Sequence, residues 1–231
     1  MDISPHIKFL TMCTAIEIDL DLTTRAIAAL ESAYRQPPRR YHTLSHIYHM
    51  LEDLDKAENL VEEARYNLYF AIWFHDAVYD PTKSGGYNEK QSIIMWEEFV
   101  REAAPLLDQY LPSVSCLIRA TIQHAIPADI SIPANLPVSS IALFLDFDLA
   151  ILASSSDVYE EYAKGIRQEH LHVPGDTYRK ERVKVLTGFL ARDKLFLSTD
   201  KEAPDKRARL NICGEIEALN DARSEFLMEF D

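Results

Sequence analysis

Two stretches of the chain carry ionisable side chains inside sequence that otherwise belongs in a core. Segment 68–79, LYFAIWFHDAVY, closes on His75 and Asp76, and segment 141–152, IALFLDFDLAIL, carries Asp146 and Asp148. An ionised carboxylate in apolar surroundings is costly unless a cation or a set of donors compensates it. Two apolar segments that each bring acids inward point to a shared positive partner. A third segment, YHTLSHIYHML, sets His42, His46 and His49 at helical spacing. Ile47, Met50, Leu51 and Leu54 mark its buried stripe. On a helical wheel His46 lies roughly 90° from the centre of that stripe, while His42 and His49 lie roughly 130° and 150° away. His46 is therefore the imidazole at the core boundary. Imidazoles and carboxylates make a mixed nitrogen and oxygen ligand set that suits Mn, Fe, Co, Ni or Zn, with Mg usually wanting fewer nitrogens. One divalent ion is the expected cofactor, and hydrolysis by a metal-activated water is the chemistry it would support.

A His-Asp pair alone says little, because eight His and eighteen Asp in 231 residues give about 0.6 such pairs by chance. Its plainer counterpart is a buried structural histidine held by a neighbouring acid. The companion motifs supply the specificity. YHTLSHI, AIWFHDAVYD, the Asn-Glu of YNEKQS, TIQH, FLDFDLAIL and YAKGIRQEH follow in that order within about residues 39–220. Together they resemble the HD superfamily of metal-dependent phosphohydrolases, and within it one uncharacterised branch. The resemblance implies an all-α, HD-type helical bundle with one metal on His46, His75, Asp76 and Asp148. It also implies hydrolysis of a phosphoester or phosphoanhydride bond in a small phosphorylated metabolite, with a nucleotide as first choice. The superfamily's last Asp usually precedes one residue and then Leu, whereas Asp148 abuts Leu149 directly. Asp146 therefore stays open as the alternative ligand.

Around these ligands, Glu89 and His124 are equal candidates for general base, and Asp76 joins them as a catalytic carboxylate. Asn88 and Glu89 follow Gly85-Gly86, where a helix start would leave backbone donors for an anion, although both could simply cap that helix. His124 could serve as phosphate donor, proton shuttle or ligand to a second ion, or could close a helix ahead of Pro127. Arg167 offers a guanidinium fork matched to phosphate oxygens, or pairs with Glu160 or Glu169 on a solvated face. Asn88, Lys83 and His42 complete the substrate-binding candidates, with Arg40 and Arg179 behind them. For His42 and His49 the plainer reading is an exposed helix histidine without a task. Tyr66, Tyr69, Phe70, Trp73 and Phe74 read as core packing rather than a base-stacking platform.

The elements that must hold these residues are helices. Six glycines in the whole chain disfavour a turn-rich sheet protein. Pro and Gly punctuation cuts the sequence into segments 4–17, 22–35, 43–56, 61–79, 88–110, 113–125, 139–153, 155–170, 176–191 and 204–229. We read one domain over 1–231, with a motif core at about 39–170 and C-terminal helices at 176–229 packed on it. Twenty-four basic against 37 acidic side chains leave a net charge of −13, which disfavours duplex nucleic acid as a partner. No run of 18 apolar residues occurs, and three scattered cysteines with no CxxC spacing suit a reducing compartment, so the expectation is a cytoplasmic protein without a membrane partner. An amphipathic C-terminal helix with Leu210, Ile212, Ile216, Leu219, Phe226 and Leu227 could contact a second copy in a homodimer. Two other functional classes fit the same residues. One is a non-catalytic metal-containing ligand-binding or regulatory module, and the other is a di-iron oxygenase-like HD protein, which would need further ligands such as His42, His124 and Asp146.

Overall fold

Each helical-length segment between Pro and Gly punctuation forms a helix in the computed structural model, which describes residues 5–128, 131–198 and 202–221. They are α1 (Pro5–Ala15), α2 (Leu20–Ala33), α3 (Leu44–Lys56), α4 (Glu62–Phe74), α5 (Tyr87–Ala103), α6 (Leu111–Ala120), α7 (Val138–Asp148), α8 (Ser156–Glu169), α9 (Gly175–Leu190) and α10 (Glu202–Asn220). No strand occurs among the described residues. The fold is all-α, as the composition predicts. Residues 4 and 222–229 of the expected terminal helices lie outside the described residues.

Four helices stop several residues short of the extents read from apolar periodicity, and each stop has a local cause. α4 ends at Phe74 rather than 79, because the amides of Val78 and Asp80 are taken by side chains of α5. α5 ends at Ala103, two residues before Pro105, which has no N–H to continue the ladder. α6 ends at Ala120 in a Schellman turn, where His124 takes a left-handed φ of 45° and the N–H of Ala125 reaches back to the carbonyl of Ala120 at 3.3 Å. α7 ends at Asp148 and gives way to a 3₁₀ turn over Ala150–Ala153. The start of α2 follows the simplest capping rule: Asp19 accepts the N–H of Leu22 at 3.0 Å.

The chain divides into two compact units, Met1–Gln36 with His42–Phe144, and Pro37–Tyr41 with Leu145–Asp231. In the first, α4 is apolar nearly all round because α3, α5 and α6 pack against it. Its aromatic residues interlock with those of α1 and α5. Phe9 meets Trp73 edge-on at 5.4 Å, and Trp96 meets Phe70 at 5.0 Å and Phe74 at 5.2 Å. Tyr69, Phe70, Trp73 and Phe74 are buried, as core residues should be.

In the second unit α10 packs on α8, α9 and the 3₁₀ turn. Leu152, Leu186, Ile212 and Leu219 fill the space between them. A desolvated ion pair crosses this core. Arg182 Nε donates to Glu215 Oε1 at 2.7 Å, Tyr159 Oη donates to Glu215 Oε2 at 2.6 Å, and Arg182 also reaches the Tyr162 hydroxyl at 3.3 Å. No helix among the described residues is long and apolar enough to cross a membrane.

Candidate metal centre

α3 delivers its imidazole where the helical wheel places it. His46 is 4% exposed, beside the buried stripe of Ile47, Met50, Leu51 and Leu54. His75 follows the last residue of α4, so a helix buried from Asn67 to Phe74 carries it into the interior, 1% exposed. The two rings meet edge to face with centroids 5.4 Å apart. His75 in turn packs edge-on against Phe144 of α7 at 5.8 Å, and Asp148 closes the same helix one turn later.

One nitrogen of the His75 ring faces a backbone carbonyl. Nδ1 lies 3.0 Å from the carbonyl oxygen of Ile72. A carbonyl can only accept, so Nδ1 carries a proton, and Nε2 is the nitrogen left to serve as a ligand atom. A backbone carbonyl behind the far nitrogen is the usual arrangement for a metal-ligating histidine. The Asp76 carboxylate stands 3.3 Å from that Nε2. Nε2 and the carboxylate thus stand side by side.

His46, His75 and Asp148 each bring one ligand atom to within 4.8 Å of the others, a group that could hold a metal ion. Two imidazoles with one carboxylate, and a second carboxylate adjoining through Asp76, fit a divalent cation by the chemistry of the donors. No thiol belongs to the group. Cys13 is buried, which pushes its thiol up to about 12, and burial also raises Cys116.

Asp146 is engaged elsewhere. Its carboxylate accepts the N–H of Leu197 at 2.6 Å, the N–H of Ser198 at 3.0 Å and the Ser198 hydroxyl. Of the two acids on α7 it is therefore Asp148 that joins the histidines, and Asp146 caps the turn at 197–198.

The remaining candidates stand outside this group of ligand atoms. His42 lies just before α3, its ring 6.4 Å from that of His46 and stacked on Tyr79 at 4.3 Å. Glu89 sits in the first turn of α5, half-buried. His124 holds the left-handed position of the turn after α6. These two segments touch, because Gly86 lies against Ile122; a Cβ at Gly86 would come within 2.8 Å of Ile122 Cδ1, and its φ of +72° already favours glycine.

Asn88 clasps the backbone of Asp80. Its Oδ1 accepts the Asp80 N–H at 3.0 Å, and its Nδ2 donates to the Asp80 carbonyl at 3.2 Å. Lys83 lies over the Tyr87 ring at 5.9 Å. Arg167 is buried and donates Nη1 to the carbonyls of His170 and Val173, at 3.0 and 3.1 Å, while stacking on Tyr178 at 4.9 Å. Its fork closes the turn from α8 to α9. Arg179 pairs with Asp176, and the N–H of Arg40 donates to Glu169 at 2.6 Å.

Sequence reasoning missed Tyr79 and Ser92. Ser92 Oγ accepts the N–H of Val78 at 3.0 Å, and its spacing from Asn88, four residues on one helix face, was the available signal.

No family model matches the chain, and no curated protein or solved structure matches it either. The donor set and its geometry remain the ground for a functional reading.

Proposed function

We propose that the chain is a divalent-metal-dependent phosphohydrolase acting on a small phosphorylated molecule, with the metal held by His46, His75, Asp76 and Asp148. The observation that carries this reading is the convergence of His46, His75 and Asp148 within 4.8 Å, the two histidines buried and Asp148 half-buried. Acids and imidazoles gathered there cost desolvation that a bound cation would offset. The contact of His75 Nδ1 with the Ile72 carbonyl supports the same reading, since it leaves Nε2 as the nitrogen on the side of Asp76. Such an ion would lower the pKa of a bound water and neutralise charge as the P–O bond breaks. Asp76, half-buried beside His75, would hold that water's proton or complete the ligand set. Glu89 and His124 stay as candidates for general base on the neighbouring segments.

The test is elemental analysis of protein purified without chelator, followed by a phosphate-release screen with nucleotides, pyrophosphate and sugar phosphates. Near one ion per chain, with turnover that follows metal loading, is the expected result. A chain that takes up no ion when offered Mn, Co, Ni or Zn, or a loaded chain that releases phosphate from no probe, overturns the reading.

A further inference from the structure

The segment between α4 and α5 has no helical ladder of its own, yet three side-chain bonds fix its backbone. Ser92 takes the N–H of Val78, and Asn88 binds both the N–H and the carbonyl of Asp80. Tyr79 is the residue between these two anchors. Its ring lies nearly parallel to that of His42, tilted by 28° with centroids 4.3 Å apart. Tyr79 stands four residues after ligand His75, and His42 four residues before ligand His46. The His42 ring is also 6.4 Å from that of His46, so the stacked pair adjoins the metal group, and both its members are half-buried rather than sealed in the core. His42 also precedes the N-terminus of α3, whose dipole favours an anion at that end.

We propose that Tyr79 is a positioning residue: clasped to α5 by Asn88 and Ser92, it orients the His42 ring so that His42 donates an N–H to a phosphoryl oxygen of the ligand bound at the metal group. An imidazole carries at least one N–H in either charge state, so the donation needs no change of protonation. Holding the ring in advance removes the ordering cost that a loose side chain would bear on binding. The inference rests on the phosphate chemistry proposed above, and binding separates it from turnover.

The experiment measures pyrophosphate affinity calorimetrically in Mn²⁺-supplied protein, for wild type, His42→Phe, Tyr79→Ala, Tyr79→Phe and the double variant His42→Phe/Tyr79→Ala, with metal content and melting temperature recorded for each. His42→Phe, which keeps a ring but has no N–H, and Tyr79→Ala each weaken binding about tenfold, as the loss of one oriented donor should. Tyr79→Phe, which keeps the stacking ring, stays within about twofold, and the double variant is no worse than His42→Phe alone. Metal content is the same in all. Additive losses, a Tyr79→Phe defect as large as that of Tyr79→Ala, or a metal-loaded wild type that binds no pyrophosphate would each overturn the proposal. Binding with this pattern but without phosphate release would leave Tyr79 and His42 as assigned and remove the hydrolase reading alone.

Discussion

Asp146 and Asp148 are two residues apart on α7, about 200° around the helix, so one direction can be served by only one of them. α7 is apolar nearly all round, and periodicity therefore could not say which acid faces the histidines. The answer lies in residues distant in sequence, the amides of Leu197 and Ser198 that engage Asp146. The two acids should respond differently to the same change. Asp146→Asn removes a charged acceptor from two backbone donors and a hydroxyl, and should cost about 1–3 kcal/mol of stability while leaving metal content intact. Asp148→Asn should lose metal with little change in the stability of the metal-free protein. Denaturant melts beside elemental analysis check both, and a reversed pattern would make Asp146 the ligand. His46, by contrast, was legible from the sequence, because one flank of α3 is polar and the wheel has a direction.

At the scale of elements, the ten helices among the described residues could be read from apolar period and punctuation, whereas the ends of α4, α6 and α7 could not, and the end of α5 was marked by Pro105 but passed over. Apolar residues continue past each end because the loops also bury side chains; Ala77 after α4 and Leu149 after α7 are both buried. What stops those helices is local: the Ser92 and Asn88 clasp, the left-handed His124, the proline at 105. The Gly86 contact with Ile122 belongs to this scale, since it sets the start of α5 against the turn after α6. Gly86→Ala combines a strained φ of +72° with a Cβ at 2.8 Å from Ile122, and should destabilise by about 1–3 kcal/mol. Chemical denaturation measures it, and a loss below about 0.5 kcal/mol would mean that Ile122 moves aside freely.

The Arg182–Glu215 pair joins α9 to α10 inside an apolar layer, with side-chain exposures of 9% and 2%. Burial opposes the charge on Arg182, yet the phenols of Tyr162 and Tyr178 and the carboxylate of Glu215 together hold its pKa high. A pair so desolvated is a poor source of net stability but a severe loss when halved. Glu215→Leu should cost about 3–5 kcal/mol, whereas Arg182→Met/Glu215→Leu should recover most of it, the two being compared by urea midpoints. Equal losses in the single and double variants would mean that the pair itself, not the stranded guanidinium, carries the stability. Nothing in the sequence announced this pair, since 33 residues separate its partners and charged residues are common on both helices.

Taken as a whole molecule, a chain of net charge −13 brings two buried imidazoles and half-buried acids together, and the physical expectation is coupling between folding and a cation. An ion that binds the native state alone stabilises it by RT ln(1 + [L]/Kd), about 2.7 kcal/mol at one hundred times Kd. That stabilisation belongs to the site and not to the overall charge. Bulk screening of 37 acids against 24 bases would raise the melting temperature with any salt, in proportion to ionic strength, and in every variant alike. Site binding instead raises it at micromolar metal, in a fixed background of salt, and only where the ligands remain. Chelator-treated protein should therefore gain several degrees on addition of Mn²⁺ or Zn²⁺, His75→Ala and Asp148→Asn should gain none, and Asp146→Asn should gain as much as wild type from its lower start. A rise shared by all of these proteins would assign the effect to the acidic surface and leave the buried group without a metal.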